Sequence, residues 1–196
     1  TSRAHDSVAA LAGILQCPVI HTYPLSSYLE GAEDRTFPCG FSPAGAAAVS
    51  NSDLVIAIGT EIGEPVHHGV GGHWAKGNVD RKWIYVECDP MAIGVNRRID
   101  VPLIGDLRDI VPQLVDSLQH EPCVRSPEVD NWIQMHADYK ASVVQSAPSR
   151  QPLIHPGRLM VEATSAIPND AVLVRDGGAA ATCTCSSTSM CPRISP

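Results

Sequence analysis

The sequence has no apolar run approaching the roughly 20 residues that a membrane-spanning helix needs. Its longest apolar stretches, such as Leu54 to Ile58, are interrupted within a few residues. An excess of basic charge is also missing. Fourteen Lys and Arg stand against 21 Asp and Glu, a net charge of -7, so no cationic face is on offer to a phosphate backbone and nucleic acid is not an expected partner. No positively charged start leads into an apolar core, so no secretory signal is expected. Paired cysteines are lacking as well. The seven cysteines are odd in number and scattered, and the terminal trio Cys183, Cys185 and Cys191 lacks the two-residue spacing of a zinc knuckle. This argues against a disulfide framework and fits a reducing cytoplasm. With no G-x-S-x-G elbow and no nucleophilic cysteine motif, hydrolase chemistry finds no support.

What is present is enough apolar material, 44% of 196 residues, for one large domain or one domain and part of another. Val8, Leu11 and Leu15 recur at helical steps and lead into the strand-like Pro18-Val19-Ile20, followed by a turn-rich stretch of Pro24, Gly31 and Pro38. Ala44 to Val49 is helix-prone. Leu54 to Ile58 is continuously apolar up to Gly59, which implies burial on both faces, as in a parallel sheet. Trp83 to Val86 predicts a third strand and Val101 to Asp106 a fourth, whose Pro102 favours a sheet edge. Asp106 can cap a helix over Leu107 to Leu118. Strands alternating with helices predict an α/β fold with a doubly wound, mainly parallel sheet.

The domain expectation is a central α/β unit over residues 1–118 whose first strand is missing, then a linker with a helix over 119–152. A second, truncated α/β unit is expected over 153–182, with a helix at Gly157 to Ser165 and a strand at Ala171 to Val174, and then an irregular tail over 183–196. That tail has neither helical nor strand periodicity and reads like sequence from a shifted frame.

In doubly wound sheets ligands sit beyond the carboxyl ends of the strands. The residues there are Gly59-Thr60-Glu61-Ile62-Gly63-Glu64-Pro65, Glu87-Cys88-Asp89-Pro90 and Gly105-Asp106. The glycines let a backbone approach a ligand closely, or simply make a tight turn. A carboxylate after a buried strand can accept ribose hydroxyls, so Glu87 is expected to face a ligand. Asp89, before a proline, is expected to hold a turn. Asp106 carries both readings, ligand contact and helix cap. The loop His67-His68-Gly69-Val70-Gly71-Gly72-His73-Trp74 is too glycine-rich to be pre-organised for metal and is expected to be exposed or to contact a partner.

Residues 83–106, Trp-Ile-Tyr-Val-Glu-Cys-Asp-Pro through Ile-Gly-Val-Asn-Arg to Leu-Ile-Gly-Asp, resemble the central-domain signature of the acetolactate synthase family of thiamine-diphosphate enzymes. Ser52 to Gly59 and Leu11 to Ile20 are similar to that family's preceding strand, and helix and strand, so the resemblance runs in order over residues 1–118. Residues 155–178 look like the opening of its diphosphate-binding domain. The resemblance implies a piece of an enzyme that adds a thiazolium ylide to a 2-oxo acid, releases carbon dioxide and joins the enamine to a second carbonyl. It implies thiamine diphosphate and Mg2+ as cofactors, a 2-oxo acid substrate and a homo-oligomer, dimer or tetramer. Benzoylformate decarboxylase, oxalyl-CoA decarboxylase and pyruvate oxidase share this domain, and a nucleotide-binding module without carbon chemistry is the reading from another class. The residues carried over as cofactor contacts are Gly59, Thr60, Glu87 and Asp106 toward FAD or ADP, and Gly178 toward the thiamine diphosphate. No catalytic residue is carried over, because the family's catalytic glutamate belongs to an amino-terminal domain and its metal motif would lie past residue 196. The family's flavin loop usually carries arginines where Glu61, Gly63, Glu64 and Pro65 stand here, and a glutamate in that place repels a flavin's phosphates.

Overall fold

The computed structural model describes residues 4–22, 29, 31–39, 42–121, 123–145 and 156–168. Helix α1 (His5–Leu15) buries Leu11 and Ala12. It feeds β1 (Val19–His21), which pairs in parallel with β2 (Thr36–Pro38), Val19 opposite Thr36. Helix α2 (Pro43–Asn51) follows. Ser42 caps it, its Oγ accepting the Gly45 N–H at 3.1 Å, and Pro43 occupies the first turn, where its missing N–H costs nothing. Gly45 is required by packing, because a Cβ there would stand 2.2 Å from the Pro38 carbonyl oxygen. The helix lies that close to β2.

The continuous apolar run becomes β3 (Leu54–Ile58), paired in parallel with β4 (Lys82–Glu87), which pairs in parallel with β5 (Val101–Ile104). The order β3-β4-β5 leaves β5 with β4 as its one strand partner among the described residues, where Pro102 can sit without breaking a central ladder. Helix α3 (Leu107–Leu118) packs on α1. Helix α4 (Pro127–Gln145) packs on α2 and touches α5 (Pro156–Ala166).

The α/β class with parallel strands is as expected. Three details differ. Thr36–Pro38 is a strand inside the stretch that reads as turns, because three residues ending in proline give no detectable period. The described strands form two separate parallel ladders, β1-β2 and β3-β4-β5. Helix α4, within the expected linker, is built into the core: Val129 and Trp132 are buried with Phe37, Ala44 and Ala48. The expected strand at Ala171 to Val174, Gly178 and the tail lie outside the described residues.

The main core joins Val49 of α2, Ala57 of β3 and Trp83 and Tyr85 of β4 to Ile62, Val66 and Trp74 from the segment between β3 and β4. The Trp74 and Trp83 rings are 4.9 Å apart. Two arginines are buried alongside these cores. Arg81 donates to the carbonyls of Trp74, Ser50, Lys76 and Ser52 and lies over the Trp74 ring. Arg35 donates to the carbonyls of Cys17, Gly31 and Ala12 and pairs with Asp34. Each clasps several segments at once, and the carbonyls satisfy cations that would be costly to bury unpaired.

Candidate functional site

The carboxyl ends of β3, β4 and β5 bring Gly59-Thr60-Glu61, Glu87-Cys88-Asp89 and Gly105-Asp106 to one edge. Gly59 takes a left-handed φ of 56° and donates its N–H to Val86 O at 3.2 Å. A Cβ at Gly59 would meet Leu107 Cδ1 at 2.7 Å, so glycine is needed here for the turn and for the approach of α3. Thr60 Oγ1 lies 3.0 Å from Thr22 Oγ1, just past the end of β1, and Thr60 O accepts from the Tyr85 hydroxyl at 3.1 Å.

That hydroxyl is shared with Glu87 Oε2 at 3.2 Å. Burial, reinforced by the Glu87 charge, pushes the Tyr85 pKa up to about 12. The other oxygen of Glu87 accepts the Cys88 N–H at 2.7 Å, the Asp89 N–H at 3.2 Å and the Cys88 thiol at 3.2 Å. Burial pushes this carboxyl up, but the hydrogen bonds outweigh it and hold Glu87 below the usual range. Glu87, expected to face a ligand, is thus committed to its own turn. Asp89 holds the next one, accepting the Met91 N–H at 2.8 Å.

Asp106 caps α3 through the Arg108 N–H at 2.8 Å, and Arg108 forks onto the same carboxylate with Nη2 to Oδ2 at 2.7 Å. The Arg108 side chain and its backbone N–H together lower the Asp106 pKa to about 2. Of the two readings of Asp106, the helix cap is the one its contacts occupy.

Beside this edge, residues Glu61, Ile62, Tyr85, Asn96, Arg97 and Ile99 line a cavity of about 140 Å³. Asn96 and Arg97 belong to the Asn-Arg of the signature that carries the family resemblance, but were not singled out as site residues. Asn96 Nδ2 donates to Ile62 O at 2.8 Å, while Arg97 donates to Gly69 O and stacks over Trp83 with its guanidinium carbon 3.9 Å from the ring centroid. Together they anchor the loop after β3 at both ends. In that loop His67 and His68 take left-handed φ of 48° and 55°. Among the described residues no group of three or more His, Cys, Asp or Glu could hold a metal ion. No described helix is long and apolar enough to cross a membrane.

The profile of the thiamine pyrophosphate enzyme central domain matches residues 1–114. The chain belongs to that family. Its curated relatives include the acetolactate synthase of Mycobacterium avium, 34% identical over 89 residues, covering 45% of this chain and 14% of that protein. The acetolactate synthase of Mycobacterium leprae is 35% identical over the same length. The acetolactate synthase large subunit of Parasynechococcus marenigrum is 27% identical over 183 residues, covering 89% of this chain and 28% of that subunit. The chain therefore spans less than a third of the length of these relatives.

Proposed function

We propose that this chain is part of a thiamine-diphosphate-dependent enzyme of the acetolactate synthase type, which condenses 2-oxo acids with loss of carbon dioxide on the way to branched-chain amino acids. The observation that carries this is the match to an acetolactate synthase large subunit over 89% of the chain, which runs beyond the central domain into residues past 114. The described part serves as scaffold: its strand ends are occupied by caps and turns, and no titratable pair is placed for a chemical step. Thiamine diphosphate and Mg2+ belong to the whole enzyme, with Gly178, outside the described residues, as the position for a diphosphate contact. No described residue forms a cradle for either group, so no step of the reaction is assigned to them. A homo-oligomer in the cytoplasm is part of the same reading.

A graft tests it in cells. Residues 1–121 replace the corresponding stretch of the Mycobacterium avium enzyme in a bacterium that requires branched-chain amino acids. Growth without those amino acids supports the proposal. A stably produced graft that never restores growth contradicts it.

A further inference from the structure

Flavin or ADP is the group that the family resemblance places at the carboxyl ends of these strands, and several donors at that edge are already used. An oxyanion pair needs free N–H groups or a free cation. The Gly59 N–H is spent on Val86 O. The N–H groups of Arg108, Asp109 and Ile110 in the first turn of α3 are met by Asp106, through its side chain for Arg108 and its carbonyl for Asp109 and Ile110. The Arg108 guanidinium is forked onto Asp106, and that of Arg97 donates to Gly69 O and lies on the Trp83 ring. The acids Glu61, Glu87, Asp89 and Asp106 line the same edge, so an incoming diphosphate meets like charge. The neighbouring cavity of about 140 Å³ has the size of a site for one ring, smaller than a nucleoside diphosphate.

We infer that the carboxyl edge of the β3-β4-β5 sheet is closed to nucleoside diphosphates, FAD included, and that the Asp106–Arg108 pair is the bolt. The closure is a property of this chain's own residues and does not depend on the acetolactate reading. It replaces the nucleotide contacts expected for Glu87 and Asp106 with local structural roles.

The test uses the full 196-residue chain, with circular dichroism establishing a cooperative thermal transition, and reads the melting temperature with millimolar ADP or FAD, since a ligand that binds the folded state raises it. The wild-type chain is expected to show no rise. Asp106→Asn keeps a good helix cap while removing one negative charge and releasing the Arg108 fork. This variant is expected to gain a rise of several degrees with ADP, which the double variant Asp106→Asn, Arg108→Ala loses. A rise in the wild-type chain overturns the closure. No rise in Asp106→Asn overturns the assignment of the bolt, and a rise that survives loss of Arg108 does the same.

Discussion

The Arg97 guanidinium lies over the Trp83 ring at 3.9 Å while donating to Gly69 O, so one side chain ties the loop after β3 to the centre of β4. The ring beneath it is among the most deeply buried in the chain. Arg97→Ala removes a cation–π contact and a charged hydrogen bond, and should lower stability by about 1–3 kcal/mol. Arg97→Lys should recover only part of that, because an ammonium lacks the planar fork. Urea midpoints of the three proteins check this, and equal midpoints for Arg97→Lys and wild type would remove the stacking from the explanation.

At Gly59 two demands coincide, a left-handed backbone and the Leu107 side chain 2.7 Å from where a Cβ would stand. Gly59→Val should cost roughly 2–4 kcal/mol, the sum of a disfavoured φ and overpacking. Trimming Leu107 to Ala in that background should relieve the packing share and leave the backbone share. Chemical denaturation of the single and double variants separates the two, and complete rescue by Leu107→Ala would show that the φ carries no cost.

His136 of α4 is 7% exposed, its Nδ1 has no hydrogen-bond partner, and its ring meets Phe37 edge-on with centroids 5.3 Å apart. Burial, helped by the nearby charges of Lys140 and His21, lowers its pKa from 6.5 to about 4. The unfolded chain therefore binds the proton first. The stability from a neutral His136 is full above pH 6.5, falls as the pH drops, and is lost once the pH passes about 4, a total on the order of 2–3 kcal/mol. Melting temperatures between pH 7 and 4, compared with His136→Phe, should show a steeper decline in the wild type. Parallel declines would mean that His136 titrates normally.

The contacts that Glu87 makes in the structure are those of turn closure. Glu87→Ala leaves the Cys88 and Asp89 N–H groups without their acceptor and the Tyr85 hydroxyl with Thr60 O alone, and should destabilise by about 1–2 kcal/mol with no ligand present. Because its folded pKa is lowered, that contribution is present above the normal carboxylate range and fades as the carboxyl protonates below it. An unchanged denaturation midpoint at neutral pH would return Glu87 to the candidates for ligand contact.

Much of this was legible in the sequence where one residue pattern had one physical solution. Leu54 to Ile58 gave the strand, although not the burial on both faces expected of it, since Leu54 is 46% exposed and Ala57 alone is fully buried, and Asp106 before an amphipathic run marked the start of α3 to the residue. β2 was not legible, since Thr36–Pro38 is too short to show a period. Nor was the burial of α4, where Val129, Trp132 and His136 are buried but Ile133, Met135, Val143 and Val144 are interspersed with polar residues, so that no single apolar face stood out. The clasps made by Arg35 and Arg81 gave no signal because their acceptors are backbone carbonyls, which every sequence supplies, and Arg97 stood only as part of the family signature. The residues of the three strand ends do come together at one edge, as the strand order implied. What the side chains do there depended on rotamers that turned Glu87 and Asp106 back onto their own backbone.

The rate of acetolactate formation by the purified graft tests the central claim most directly. Residues 1–121 of this chain, set within the Mycobacterium avium enzyme and assayed with pyruvate, thiamine diphosphate and Mg2+, should give a kcat within about tenfold of the parent, a barrier difference of about 1.4 kcal/mol or less. A folded graft that binds thiamine diphosphate but forms no acetolactate would contradict the claim that this scaffold belongs to an enzyme of that type.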